Sequence, residues 1–243
     1  MYICCRNLIK RMACILNIET STSVCSVALS DKGKVVFEKA SFEGPSHAAL
    51  LGVFVEEALS ALKEQGRKPD AIAVSSGPGS YTGLRIGVSV AKGLCFGYGI
   101  PLIGIHTLDI LAATVIKRNE GSGNSLYCAM LDARRMEVYA AIYDANLQTV
   151  RETSADIVDA GTYAPYLEKG NVCFFGNGAA KCKEVITSAN AVFIDEIHPL
   201  AVNMVPLSEK AFAEGKLENV AYFEPFYLKE FQATIAKNKV LGK

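Results

Sequence analysis

Ser75-Ser76-Gly77-Pro78-Gly79-Ser80-Tyr81-Thr82-Gly83-Leu84-Arg85-Ile86-Gly87 is the stretch on which the fold turns. Ahead of it, AIAVSS (Ala71 to Ser76) is nearly all apolar, the pattern of a strand buried on both faces in the middle of a sheet. Behind it, Leu84, Ile86, Val88, Val90, Ala91, Leu94, Cys95 and Phe96 predict a helix over 84–98, ended by Gly99 and Pro101 before the strand PLIGI. Strand, glycine loop, helix, strand is the unit of an alternating α/β protein. Gly77 and Gly79 permit backbone that other residues adopt at a cost, Pro78 stiffens the bend, and Ser80 or Thr82 can cap the helix. At the carboxyl end of a central strand such a loop presents amides where mixed sheets bind ligands. Two readings stand here, a structural turn and a phosphate-facing loop.

Working toward the N-terminus, ACILNIE (Ala13 to Glu19) and VCSVALS (Val24 to Ser30) read as strands joined by Thr20 to Ser23. Asp31 to Lys34 then turns the chain into VVFEK, which completes a three-strand meander. Ser46 caps an expected helix over 47–65, stopped by Gly66. Glu19-Thr20-Ser21-Thr22 ends a buried strand with a carboxylate followed by three hydroxyls in a tight turn, a place for a phosphate or a magnesium-bound water, or equally a capped hairpin turn.

Toward the C-terminus the theme repeats. A helix over 108–117 and the polar loop 119–124 lead to SLYCAMLDA and EVYAAIYDA, hinged at Arg134-Arg135. VCFFG, a helix reaching Ile186, AVFID and a helix from Leu200 to Gly215 follow. The expected organisation is a disordered extension at 1–11, a first lobe at 12–106 with a returning helix and tail near 200–228, a smaller second lobe at 107–199, and a flexible tail at 229–243. In Asp132-Ala133-Arg134-Arg135, either Asp132 pairs with an arginine in a solvated hairpin or Arg134 meets a phosphate in the cleft.

The 243 residues carry 25 basic and 25 acidic side chains, so no net charge holds a polyanion to the isolated chain. Half the residues are hydrophobic, which excludes collagen-like and disordered classes. Eight cysteines are scattered without a CxxC pair and read as small buried hydrophobes rather than metal ligands or disulfides. The start MYICCRNLIKR has no sustained apolar run and no small-residue cleavage site, so a secretory signal is not expected, and no stretch reaches membrane-spanning length without a charge. The absence of GxxxxGK[ST] excludes a P-loop ATPase at motif level, and His47, His106 and His198 lack the spacing of a metal pair.

The helix over 84–98 has only Arg85 and Lys92 as charges, with small residues Gly83, Gly87 and Ala91 four apart, and the helix over 47–65 has a wide apolar arc. A helix apolar nearly all round must be covered on nearly all sides. The expectation is a protein interface of His47, Leu50, Leu51, Phe54, Val55, Ala58, Leu84, Gly87, Val88, Ala91 and Cys95; the alternative is burial within the monomer.

ILNIETS (Ile15 to Ser21), SSGPGSYTGLRIGVSVAKGL (Ser75 to Leu94), DARRMEVY (Asp132 to Tyr139) and PFYL (Pro225 to Leu228) resemble the TsaB, or YeaZ, family over about Ala13 to Leu228. The resemblance implies a two-lobed actin-like fold of mixed sheets flanked by helices, related to sugar kinases and chaperone ATPases. It also implies a cytoplasmic subunit with no catalytic residues, metal or cofactor of its own. Such a subunit pairs with a TsaD-like transferase and a TsaE-like ATPase to form threonylcarbamoyladenosine beside the tRNA anticodon, and forms homodimers when the transferase is absent. ATP, magnesium and threonylcarbamoyl-adenylate then belong to the partner subunits, and tRNA is met mainly through the complex. TsaD-like proteins carry an HxxxH metal motif; here SHAALLG places Leu51 four residues after His47. Both apolar helices correspond to the family's contact with TsaD. The competing class is a stand-alone actin-like kinase or ATPase using Glu19 and the Gly77 to Gly79 loop, or a glycoprotease-like peptidase. Glu19, Thr20, Ser21, Gly77, Gly79 and Arg134 are the candidate phosphate- or nucleotide-facing residues.

Overall fold

The computed structural model describes residues 13–44, 47–118 and 125–229. The expected extension at 1–11, the cap at Ser46, the loop at 119–124 and all of the expected tail beyond Lys229 lie outside the described residues. Strands β1 (Cys14–Glu19), β2 (Cys25–Asp31) and β3 (Lys34–Ser41) form the antiparallel meander. After α1 (His47–Lys63), β4 (Ala71–Gly77) pairs parallel to β1; after α2 (Tyr81–Tyr98), β5 (Leu102–His106) pairs parallel to β4. The sheet order is β3-β2-β1-β4-β5.

Helix α3 (Thr107–Arg118) leads to a second sheet of β6 (Leu126–Asp132), β7 (Glu137–Tyr143), β8 (Thr149–Ile157), β9 (Val172–Phe175) and β10 (Ala191–Ile194). Its order is β10-β9-β6-β7-β8, and β9 and β10 run parallel as β4 and β5 do. The same arrangement is thus built twice, a meander followed by parallel strands on the side of its first member. These two mixed sheets flanked by helices are the actin-like fold that the sequence led us to expect. A short helix α4 (Ala164–Leu167) precedes β9, and α5 (Ala201–Glu214) returns to the first sheet.

Strand β1 is buried throughout because both faces of its sheet are covered. Leu16 and Ile18 pack with Leu51 and Phe54 of α1 and Val88 and Ala91 of α2. Ile15 points the other way, into Ala201 and Met204 of α5 and Ile110 of α3. Helix α3 also places Leu108, Leu111 and Val115 on Tyr127, Ala129 and Leu131 of β6, so it supports both sheets. The described cysteines 14, 25, 95, 128, 173 and 182 are buried free thiols. Among the described residues no helix is long and apolar enough to cross a membrane.

Three local expectations change. Helix α2 begins at Tyr81, three residues earlier than its apolar period, because the Ser80 hydroxyl caps it by accepting the Gly83 N–H at 3.3 Å. The helix expected after VCFFG shrinks to a 3-10 turn at Ala180–Cys182. Strand β8 has no counterpart in the sequence reading: TVRETSADI is an edge strand, polar enough to hide its pattern.

Candidate functional site

The end of β1 and the loop after β4 meet at the carboxyl edge of the first sheet. Glu19, Thr20 and Ser21 are almost wholly inaccessible. Glu19 Oε1 accepts the Ser21 N–H at 2.8 Å, while Oε2 meets no donor among the described residues. Burial pushes the Glu19 carboxyl up to about 7, against the Ser21 amide bond and the neighbouring Ser21 and Ser75 hydroxyls and Thr20 amide, whose polarity pulls it down. The Thr20 hydroxyl donates to the Gly83 carbonyl at 2.8 Å, and the Ser80 N–H donates to the Ser21 carbonyl at 2.6 Å.

The glycines of the loop serve this contact. A Cβ on Gly79 would overlap the Ser21 carbonyl oxygen, and one on Gly83 the Thr20 carbonyl oxygen. Gly77 has φ +110 and would bring a Cβ within 2.6 Å of the Phe226 carbonyl oxygen. That carbonyl belongs to the tail, which runs over the end of β4: the Phe226 N–H donates to the Ser76 carbonyl at 2.7 Å, and the Tyr227 ring lies 4.9 Å from that of Tyr81. Glu19, Thr20, Ser21, Gly77 and Gly79, the residues of the phosphate-loop reading, are packed together at this edge. Their close approach is to the chain's own backbone, and the Ser80, Gly83 and Leu84 amides that would face a phosphate are already bonded to Ser21 and Ser80. Beside the tail, a cavity of about 340 Å³ between the sheets is lined by His106, Asp109, Tyr143, Thr149, Glu152, Thr153 and Phe226. None of the six candidate phosphate residues lines it.

The structure also corrects the interface residues. His47, Leu51, Phe54, Val55, Ala58, Leu84, Gly87, Val88, Ala91 and Cys95 are buried within the chain, and Leu50 is half-buried. They form the face that α1 and α2 lay on their own sheet, and a Cβ on Gly87 would overlap the Thr20 hydroxyl. Apolar width was legible in the sequence; which way each face points was not. The outward stripe of α2 is Arg85, Ser89, Gly93 and Gly97, again four apart, with Phe96 88% exposed beside it. On α1 the outward positions include Ala49, Gly52 and Val53. Gly52, Gly93 and Gly97 have open space where a Cβ would stand.

His47 does not serve a metal-binding pair. Its Nε2 donates to the Thr22 carbonyl at 2.7 Å, since a carbonyl only accepts, and Leu51 fills the second position of the HxxxH spacing. Among the described residues no cluster of three His, Cys, Asp or Glu side chains could hold a metal ion. The residues present do not fit the two-histidine metal site of TsaD-like proteins. Arg134 stands apart from the loop, exposed at the tip of the β6–β7 hairpin. Asp132 pairs with Lys181 rather than with either arginine, so the self-neutralised hairpin is also corrected.

Comparison with known proteins places these features in context. The family described as "TsaD: tRNA N6-adenosine threonylcarbamoyltransferase" matches residues 30–237. The Escherichia coli K12 "tRNA threonylcarbamoyladenosine biosynthesis protein TsaB" is 32% identical, covering 94% of this chain and 99% of that protein. The Haemophilus influenzae protein of the same name is 27% identical, over 88% of this chain and 93% of its own length. The solved structure "YeaZ from Pseudomonas aeruginosa" superposes with a TM-score of 0.77 at 27% identity, covering 89% of this chain and all of that one.

Proposed function

The chain belongs to the TsaB, or YeaZ, branch of the TsaD-type family, and from that premise we propose that it takes part in tRNA threonylcarbamoyladenosine biosynthesis as a non-catalytic docking subunit in the cytoplasm. It pairs through the outward faces of α1 and α2 with a TsaD-type transferase, works alongside a TsaE-type ATPase, and forms homodimers through the same faces when the transferase is absent. ATP, magnesium and threonylcarbamoyl-adenylate are handled by those partners.

One observation carries this reading: the loop that would cradle a phosphate is closed on the chain's own Ser21 and Phe226 backbone, while Ser89, Gly93 and Gly97 leave α2 open to close approach. Small residues four apart let an opposing helix come near, and Phe96 supplies an exposed apolar anchor. The subunit then acts by differential interaction, stabilising the competent arrangement of the transferase through contacts.

Two measurements test the proposal. A reconstituted tRNA modification assay is expected to lose most of its rate when this chain is omitted; a full rate without it overturns the reading. Calorimetry with ATP and magnesium on the isolated chain is expected to show no tight binding, and tight binding with turnover would favour a stand-alone kinase or ATPase.

A further inference from the structure

The β6–β7 hairpin turns through two successive arginines of positive φ. Arg134 has φ 72 and Arg135 φ 45, two successive residues in the left-handed region that glycine, asparagine and aspartate occupy more cheaply. The bend is fixed from several sides. Asp132 Oδ1 accepts the Arg134 N–H at 3.0 Å, and the Arg134 carbonyl accepts the Glu137 N–H at 3.1 Å. The Lys181 ammonium donates to the Asp132 carboxylate and to the Arg135 and Glu137 carbonyls at 2.7 and 2.6 Å.

These bonds settle the charges. Lys181 takes the Asp132 carboxylate and Lys229 takes that of Glu137, so both nearby acids are matched by lysines. Arg134 and Arg135 are exposed, and neither guanidinium has a hydrogen bond or ion pair among the described residues. In a chain with no net charge, the tip holds a local surplus of two cations aimed outward on a braced backbone.

We propose that Arg134 and Arg135 grip the phosphodiester backbone of the RNA substrate. A guanidinium offers a planar fork of donors that matches phosphate oxygens bidentately. Two such contacts position a polyanion without reading its sequence, and in a chain of no net charge they give RNA a weak, salt-sensitive hold. The assignment rests on the reading that this chain works in tRNA modification, since that reading brings the polyanion to the assembly.

The test compares the full wild-type chain with Arg134→Asn/Arg135→Asn and with Arg134→Lys/Arg135→Lys. Binding to a labelled tRNA is followed by fluorescence anisotropy from about 20 mM salt upward, where such contacts are strongest. Asparagine tolerates the left-handed backbone, so that variant is expected to melt no lower than wild type. Its affinity is expected to fall about tenfold, and its log-log salt slope by about 1.5. The lysine variant is expected to keep most of the slope. Unchanged affinity and slope in the asparagine variant, or no RNA binding by wild type, overturns the proposal. So does loss of co-elution with the transferase subunit at unchanged RNA affinity, which would assign the tip to a protein contact. If the reconstituted reaction runs fully without this chain, the docking reading fails, while the anisotropy measurement still decides the fate of this one.

Discussion

The Thr20 hydroxyl at the end of β1 donates to the Gly83 carbonyl in the first turn of α2 at 2.8 Å. Thr20 is fully buried, and its backbone and side chain press on Gly83 and Gly87 respectively. The bond ties the strand that centres the first sheet to the helix that presents the proposed docking face. Replacing Thr20 with valine keeps the shape and leaves a buried carbonyl without this donor. The expected loss is about 1–3 kcal/mol of stability, read by denaturant unfolding. A variant as stable as wild type would show that another group satisfies Gly83.

Gly87 separates packing from docking. Although it lies in the first small-residue stripe, it faces Thr20 and Val74. Gly87→Glu is therefore expected to unfold the first sheet, with loss of the cooperative thermal transition, because a carboxylate there has neither room nor a partner. A well-folded Gly87→Glu monomer that only fails to pair would place this glycine at the surface, against the structure.

Glu19 sets a pH dependence whose sign follows from its raised value near 7, above the ordinary 4.5. As pH rises from about 4.5 to 7, the unfolded chain releases this proton while the folded chain keeps it, so stability falls across that window. Above the folded value both states are ionised and the loss is complete, on the order of 3 kcal/mol for a shift of this size. Glu19→Gln is expected to remove this fall, so that the stability of the variant relative to wild type rises across the window. Parallel stability curves for the two proteins between pH 5 and 8 would contradict it.

Much of the fold was legible because its signals are local. The nearly all-apolar AIAVSS gave the buried strand, and the turn at Asp31 to Lys34 gave the meander. Strand β8 was not legible, since an edge strand buries little and its alternation is filled with Arg151, Glu152 and Ser154. The site was harder still. Sequence spacing places Gly83, Gly87 and Ala91 on one stripe and Ser89, Gly93 and Gly97 on another, but which stripe meets the sheet depends on where Thr20 sits, a residue more than sixty positions away. The closing of the Gly77 loop likewise depends on Phe226, nearly 150 residues downstream. Neither long-range contact leaves a trace in local pattern.

The central claim is that the outward stripe of α2 is a docking face, and Gly93→Glu tests it most directly. With open space at its Cβ, the substitution is expected to leave the melting temperature unchanged or slightly raised, since glycine is a poor helix former. The mass of the species that co-elutes with the TsaD-type transferase, measured by light scattering, is expected to drop from that of the complex to those of the separate chains. A Gly93→Glu chain that still elutes at the full mass of the wild-type complex would contradict the claim.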